Sequence, residues 1–153
     1  MTAIVYATPC ANRVKPAVQP NGSEAVTVRF EFDLTATLLI TDVVKLGYLP
    51  ANCKVTDWMV DSDDLSDSAA GTFGLGILAS TGLTVDTTAS GGAAWVAGST
   101  LMQGGGVVRP IIAAHTHMVV SRTADQLIGI VMAASCTTTA TGKFGLTLTY
   151  IAA

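Results

Sequence analysis

The chain has 153 residues, of which 50% are apolar and 12% charged, with a formal net charge of −3. That size suits one domain, and the scaling of surface with mass buries about two-thirds of the extended chain, enough for a core without metal or disulfides. The composition excludes intrinsic disorder, the acidic balance excludes the basic footprint of a nucleic-acid binder, and despite a mean hydropathy of +0.52 the apolar stretches around 89–97 and 127–136 fall well short of the ~20 residues of a membrane-spanning helix.

Residues 1–23 read as an extended N-terminal arm. Pro9, Pro16 and Pro20 exclude a helix, because proline fixes φ and removes a backbone donor. The same segment carries Ile4, Val5, Tyr6, Val14 and Val18 and little charge. It is expected to pack on something, either a neighbouring molecule or its own domain. Met1 to Ala11 shows no basic stretch ahead of an apolar one, so the expectation is a protein made and folded in a cytoplasm.

Residues 24–153 read as a β domain. In 24–33, Val26, Val28, Phe30 and Phe32 alternate with Thr27, Arg29 and Glu31, the period of a half-buried strand. Leu38 to Ile40 form a short apolar run, and Leu46, Tyr48 and Leu49 lead into Pro50, which ends that segment. In 54–60, strict alternation puts Thr56, Trp58 and Val60 on one face and Val55, Asp57 and Met59 on the other. In 72–78, Phe73, Leu75 and Ile77 alternate with Gly74 and Gly76; outward glycines in a strand imply close approach by other atoms. Residues 80–106 are glycine-rich and loop-like, with Trp95 and Val96 as a plug into the core. Residues 107–110 read as extended, and 115–121, 127–133 and 143–151 as strands. In the last of these Phe144, Leu146, Leu148 and Tyr150 alternate with Gly145, Thr147 and Thr149. No helical stripe runs for a dozen residues. The pattern predicts an all-β, antiparallel β-sandwich, jelly-roll-like, with the arm at its N-terminus.

Chemistry-bearing clusters are few. Asp57, Asp61, Asp63, Asp64 and Asp67 crowd one stretch. Hard carboxylate oxygens suit Ca²⁺, yet the spacing lacks the glycine and glutamate of an EF-hand loop, and aspartates satisfying backbone donors at a strand end explain it as well. His115 and His117 share one face of a strand, but no Glu or His follows to complete a zinc or iron site. There is no nucleophile elbow, and no Lys-Ser/Thr follows Gly104 to Gly106. Cys10, Cys53 and Cys136 form no CxxC pair and read as buried free thiols. No catalytic, cofactor-binding or metal-binding residue is assigned, no cofactor is expected, and the chain is not read as an enzyme.

Scarcity of charge is the positive clue. A usual domain is about 25% charged; here Thr, Ser, Gly and Ala must cover much of the surface. Such a surface is cheap to desolvate and suits an oligomer or a component of an assembly, though a secreted-type sandwich monomer has the same look.

The segment Tyr48-Leu49-Pro50-Ala51-Asn52-Cys53-Lys54-Val55-Thr56-Asp57, followed by Val60-Asp61-Ser62-Asp63-Asp64-Leu65 and the glycine-bearing stretch Thr72 to Leu78, resembles small structural proteins of tailed bacteriophages. The resemblance covers roughly residues 26–80. It implies a virion protein of the capsid decoration or cement kind, β-rich, bound on the capsid surface, with the major capsid protein as partner. It also implies a homo-oligomer, a trimer more than a dimer, without nucleic acid or membrane as partner, assembled in the host cytoplasm. The arm residues Tyr6, Val14 and Val18 are the expected partner-binding positions. The alternatives are another virion role (head fibre base, tail or receptor-binding sandwich), a glycan-binding module using Trp58, Trp95, Tyr6, Tyr48 or Tyr150, and a metal-dependent jelly-roll enzyme.

Overall fold

The computed structural model describes residues 3–7, 12, 16, 24–66, 70–90, 93–110, 123–136 and 141–152. Among these, nine strands form two sheets: β1 (Ile4–Tyr6), β2 (Val26–Leu34), β3 (Val43–Leu49), β4 (Cys53–Ser62), β5 (Thr72–Ile77), β6 (Val96–Ser99), β7 (Gly106–Val108), β8 (Gln126–Ala134) and β9 (Gly142–Ala152). One sheet has the order β1-β3-β8-β5-β6 and the other β2-β9-β4-β7. The pairings are antiparallel apart from β1 with β3, which is parallel. The all-β sandwich read from the period of two is the fold of the chain.

The alternation places the core between the sheets. Phe30, Phe32 and Leu34 of β2 and Phe144, Leu146, Leu148 and Tyr150 of β9 point inward and are buried. From the other sheet they meet Val44, Leu46, Leu49, Phe73, Leu75, Ile128, Ile130 and Met132. The Phe73 and Phe144 rings touch edge to face across the core, with centroids 5.4 Å apart. Pro50 follows the last residue of β3, since it has no N–H to donate to a ladder. Trp95 enters the core as the plug expected of 80–106, but Val96 opens strand β6 in that segment, which is therefore not all loop.

Two departures from strict alternation have local causes. In β4 the register with β9 shifts between Val55 and Asp57. This bulge inserts Thr56, so Cys53 and Val55 face inward before it and Trp58, Val60 and Ser62 after it. Thr56 is exposed and does not share the face of Trp58; one extra residue reverses which parity points inward. The run Leu38 to Ile40 is not a strand. Leu38 is buried, but Leu39 and Ile40 are 54% and 57% exposed on a turn.

The outer face of the first sheet is partly covered by its own loop. Residues 78–90 fold back over β5 and β8, and Gly76 makes room for Val85 and Ser90. The Ser90 hydroxyl accepts the Ile77 N–H at 3.0 Å. This is the close approach that outward glycines implied.

Gly47, beside the β3 bulge, performs the same service toward the core: a Cβ there would overlap the buried Phe30 ring. Gly47→Ala is expected to destabilise the fold by about 1–3 kcal/mol, the usual cost of forcing extra atoms into a packed core. A urea-unfolding midpoint that does not fall would refute that packing.

Candidate interaction surface

The described part of the arm lies on its own domain. β1 runs along the free edge of β3, with Ile4 opposite Val43 and Tyr6 opposite Lys45. The Val43 N–H donates to the Ala3 carbonyl (3.0 Å) and the Ala7 N–H to the Lys45 carbonyl (2.8 Å). Ala3 and Ala7 therefore turn main-chain groups to β3. By alternation, those of Ile4 and Tyr6 point away from it. Val5 packs against the core and Ala7 is buried, whereas Ile4 and Tyr6 are 40% and 48% exposed. The Lys45 ammonium sits 5.1 Å from the centre of the Tyr6 ring, a cation–π arrangement.

Asp42 ties this edge to the neighbouring turn. It is buried, and its two carboxylate oxygens accept the Ala3 and Leu39 N–H groups, each at 2.8 Å. The turn is held further by Ile40 N–H to the Ser135 hydroxyl (2.7 Å) and Thr41 N–H to the Met132 carbonyl (2.9 Å). Thr41 has φ of 72°, a left-handed conformation that costs a β-branched residue roughly 1–2 kcal/mol. A hydrogen-bonded, strained turn thus presents Leu39 and Ile40 to solvent just ahead of β3, the strand on which β1 lies. Clefts of about 60 Å³, lined by Val5, Phe32, Leu34 and Leu38, and about 110 Å³, lined by Tyr6, Ala7, Phe32 and Asp33, open between β1 and β2 on the same side. Ile4, Tyr6, Leu39 and Ile40 are thus exposed apolar groups at this end of the first sheet.

The outer face of the second sheet is different in kind. The Arg29 guanidinium grips Asp61 through two bonds of 2.6 and 2.7 Å and reaches Glu31 at 3.3 Å. Gly145, on the strand between, leaves room for it. Lys143 pairs with Glu31 and lies 3.6 Å from Asp33. Lys143, then Arg29, hold the Glu31 carboxyl below its ordinary value, and Asp61 raises the Arg29 guanidinium further. Here the charges satisfy one another.

The aspartate stretch resolves into local partners. Asp57 accepts the Trp58 N–H (2.9 Å), Asp63 the Lys143 N–H (2.7 Å), Asp64 the Ser66 N–H (3.4 Å), and Asp61 holds Arg29. Among the described residues no three His, Cys, Asp or Glu side chains converge as metal ligands. A broader cleft of about 310 Å³ is rimmed by Tyr48, Leu78, Asp86, Asp125 and Gln126; there Asp86 accepts the Ala89 N–H and Asp125 the Ala51 N–H. Cys53 and Cys136 are buried free thiols, and burial raises both above the ordinary thiol value, which disfavours the reactive thiolate. Trp58, Trp95 and Tyr150 are buried and present no face to a sugar. Val14, Val18, Cys10, Asp67, His115 and His117 lie outside the described residues, as does the strand read at 115–121. No helix among the described residues is long and apolar enough to cross a membrane.

The chain matches no family model and no curated protein. Solved structures do match it. A chain from the capsid of Ralstonia phage GP4 shares the fold with a TM-score of 0.80 and 25% identity, over 99% of this chain and 99% of that one. A chain from the capsid asymmetric unit of cyanophage Pam1 gives 0.65 and 20%, over 92% and 94%. One from the acidic stable capsid of Helicobacter pylori bacteriophage KHP30 gives 0.50 and 11%, over 85% and 89%. The chain is a phage virion structural protein, the class that residues 48–65 resemble.

Because Glu31 titrates below its ordinary value of 4.5 when folded, its contribution to stability is full above that value and is lost as pH falls through the lowered one. Glu31→Gln should therefore flatten the loss of urea resistance as pH falls below about 4.5. A wild-type and variant curve of equal slope would show that the ladder adds nothing.

Proposed function

We propose that the chain is a decoration, or cement, protein of a phage head: a structural, non-enzymatic component that binds the outer surface of the shell and bridges neighbouring subunits of the major capsid protein. The observation that carries this reading is the end-to-end match with a chain of the GP4 capsid, made by a small all-β unit with an unburied apolar edge. The strand orders β2-β9-β4-β7 and β3-β8-β5-β6 fit a jelly roll, an architecture used by viral capsid domains.

The physics suits a clamp. Leu39, Ile40, Ile4 and Tyr6 supply apolar area that a partner would take out of water at about 25 cal/mol per Å². Charge is sparse, and Arg29, Glu31, Asp61 and Lys143 are paired within the fold, so contact with the shell strands few charges. A homo-oligomer, a trimer more than a dimer, would engage several subunits at once, and avidity would set its hold.

Quantitative mass spectrometry of purified particles tests the role directly. A copy number equal to that of the major capsid protein, or a simple fraction of it, is expected, with the protein on the outside of the head. A handful of copies, or location in the tail, would overturn the reading. On stripped heads, the double variant Tyr6→Ala, Ile40→Asp should rebind about tenfold more weakly, equivalent to 1.4 kcal/mol, with an unchanged melting temperature. Wild-type rebinding would move the contact surface elsewhere.

A further inference from the structure

We propose that β1 is an exchangeable strand: in the assembled protein Ile4–Tyr6 of one copy lies on β3 of a second copy, in the seat that the same residues occupy on their own β3. The seat belongs to the body of the domain. It comprises the β3 edge, the buried Asp42 carboxylate that accepts the Ala3 N–H, and the core-side positions that receive Val5 and Ala7. Its main-chain bonds join groups some forty positions apart, as in the Ala3–Asp42 and Ala7–Lys45 bonds. None of them requires that strand and seat belong to one chain, so exchange conserves them all.

The tether permits it. Residues 7–25 separate β1 from β2 and span about 60 Å when extended, at roughly 3.3 Å per residue. Pro9, Pro16 and Pro20 restrict that tether, which lowers the entropy lost on holding it extended. β1 itself is three residues long and, among the described residues, pairs with β3 alone. Such a strand detaches locally at far lower cost than global unfolding. Exchange would also bring a second copy to the edge at which Ile4, Tyr6, Leu39 and Ile40 are exposed. Swapping of an identical element is a low-cost route to a closed oligomer. The inference concerns contact between copies and does not require the capsid.

The test uses the full chain carrying Cys10→Ser, since Cys53 and Cys136 are buried. Two single variants, Tyr6→Cys and Lys45→Cys, place thiols at paired register positions. They are mixed, unfolded and refolded together at high concentration, then treated with a short bismaleimide. Exchange predicts a covalent dimer joining the two variants. A mixture that stays monomeric on a denaturing gel, while the chain carrying both substitutions links only within itself, would overturn the proposal. Light scattering gives an independent reading that needs no new thiols: the wild-type chain should be oligomeric and Val5→Asp, which spoils the seat, monomeric. A wild-type monomer, or an oligomer unaffected by Val5→Asp, would overturn it. A monomer that still rebinds stripped heads would remove strand exchange and leave the cement role standing.

Discussion

The structure depends on the inward faces of β8 and β9, the last two strands in the sequence and the central strands of their sheets. β9 holds β2 on one side and β4 on the other; β8 holds β3 and β5. The contact between Phe73 and Phe144 joins the two layers. Pairs such as Val26 with Tyr150 bring together opposite ends of the domain. Little of the core closes until the C-terminal strands arrive, so loop-closure entropy is lost before burial compensates for it, and folding of such a topology is intrinsically slow. The glycines follow from this packing. Gly47 admits Phe30 and Gly76 admits Ser90 because the layers and the covering loop approach closely at those points.

Once the centres are occupied, the edges decide what the molecule can join. An exposed sheet edge invites further pairing, and proteins usually blunt it with charge or brevity. β2 carries Arg29, Glu31 and Asp33; β6 has four residues and β7 three. β1 is short as well, but it presents Ile4 and Tyr6 and stands beside the apolar turn at Leu39 and Ile40. The charged ladder across Arg29, Asp61, Glu31 and Lys143 is the complement: exposed pairs of this kind add little stability, but they leave that face with its charges satisfied. The ladder leaves that face with paired charges, while apolar surface stays in water at the β1 edge of the first sheet and at Val107 of β7 in the second.

Much of this was legible from periodicity. The alternation of Val26 to Phe32 and of Phe144 to Tyr150 located β2 and β9 and their inner faces, and Pro50 located the end of β3. The bulge at Thr56 was not legible, because nothing about a threonine in a strand announces that one residue will be skipped; the skip is visible only in the register with β9. Tyr6 stood out as an aromatic residue in a proline-rich segment of little charge. Leu39 and Ile40 did not, since a short apolar run does not say whether its side chains end up buried or exposed. The available signal was the Thr41-Asp42 pair behind them, an aspartate poised to accept nearby backbone donors and so to make a turn. The parallel seat of β1 on β3 depends on Asp42 and Ala3 meeting across thirty-nine positions, which pattern alone does not encode.

Strain at Thr41 fits the same account. A left-handed β-branched residue persists only where its surroundings over-determine it. Here the surroundings are the Thr41 N–H bond to Met132, the Ile40 N–H bond to Ser135, and the two bonds to Asp42. Glycine at that position would relieve the backbone but loosen the turn, since glycine has more freedom to lose on folding. Holding the turn rigid means that Leu39 and Ile40 sacrifice little conformational entropy when a partner covers them, so more of their burial appears as affinity. A weak individual contact that is rigid in advance is the kind that multiplies well across many copies, because each added copy brings contact area at little further ordering cost.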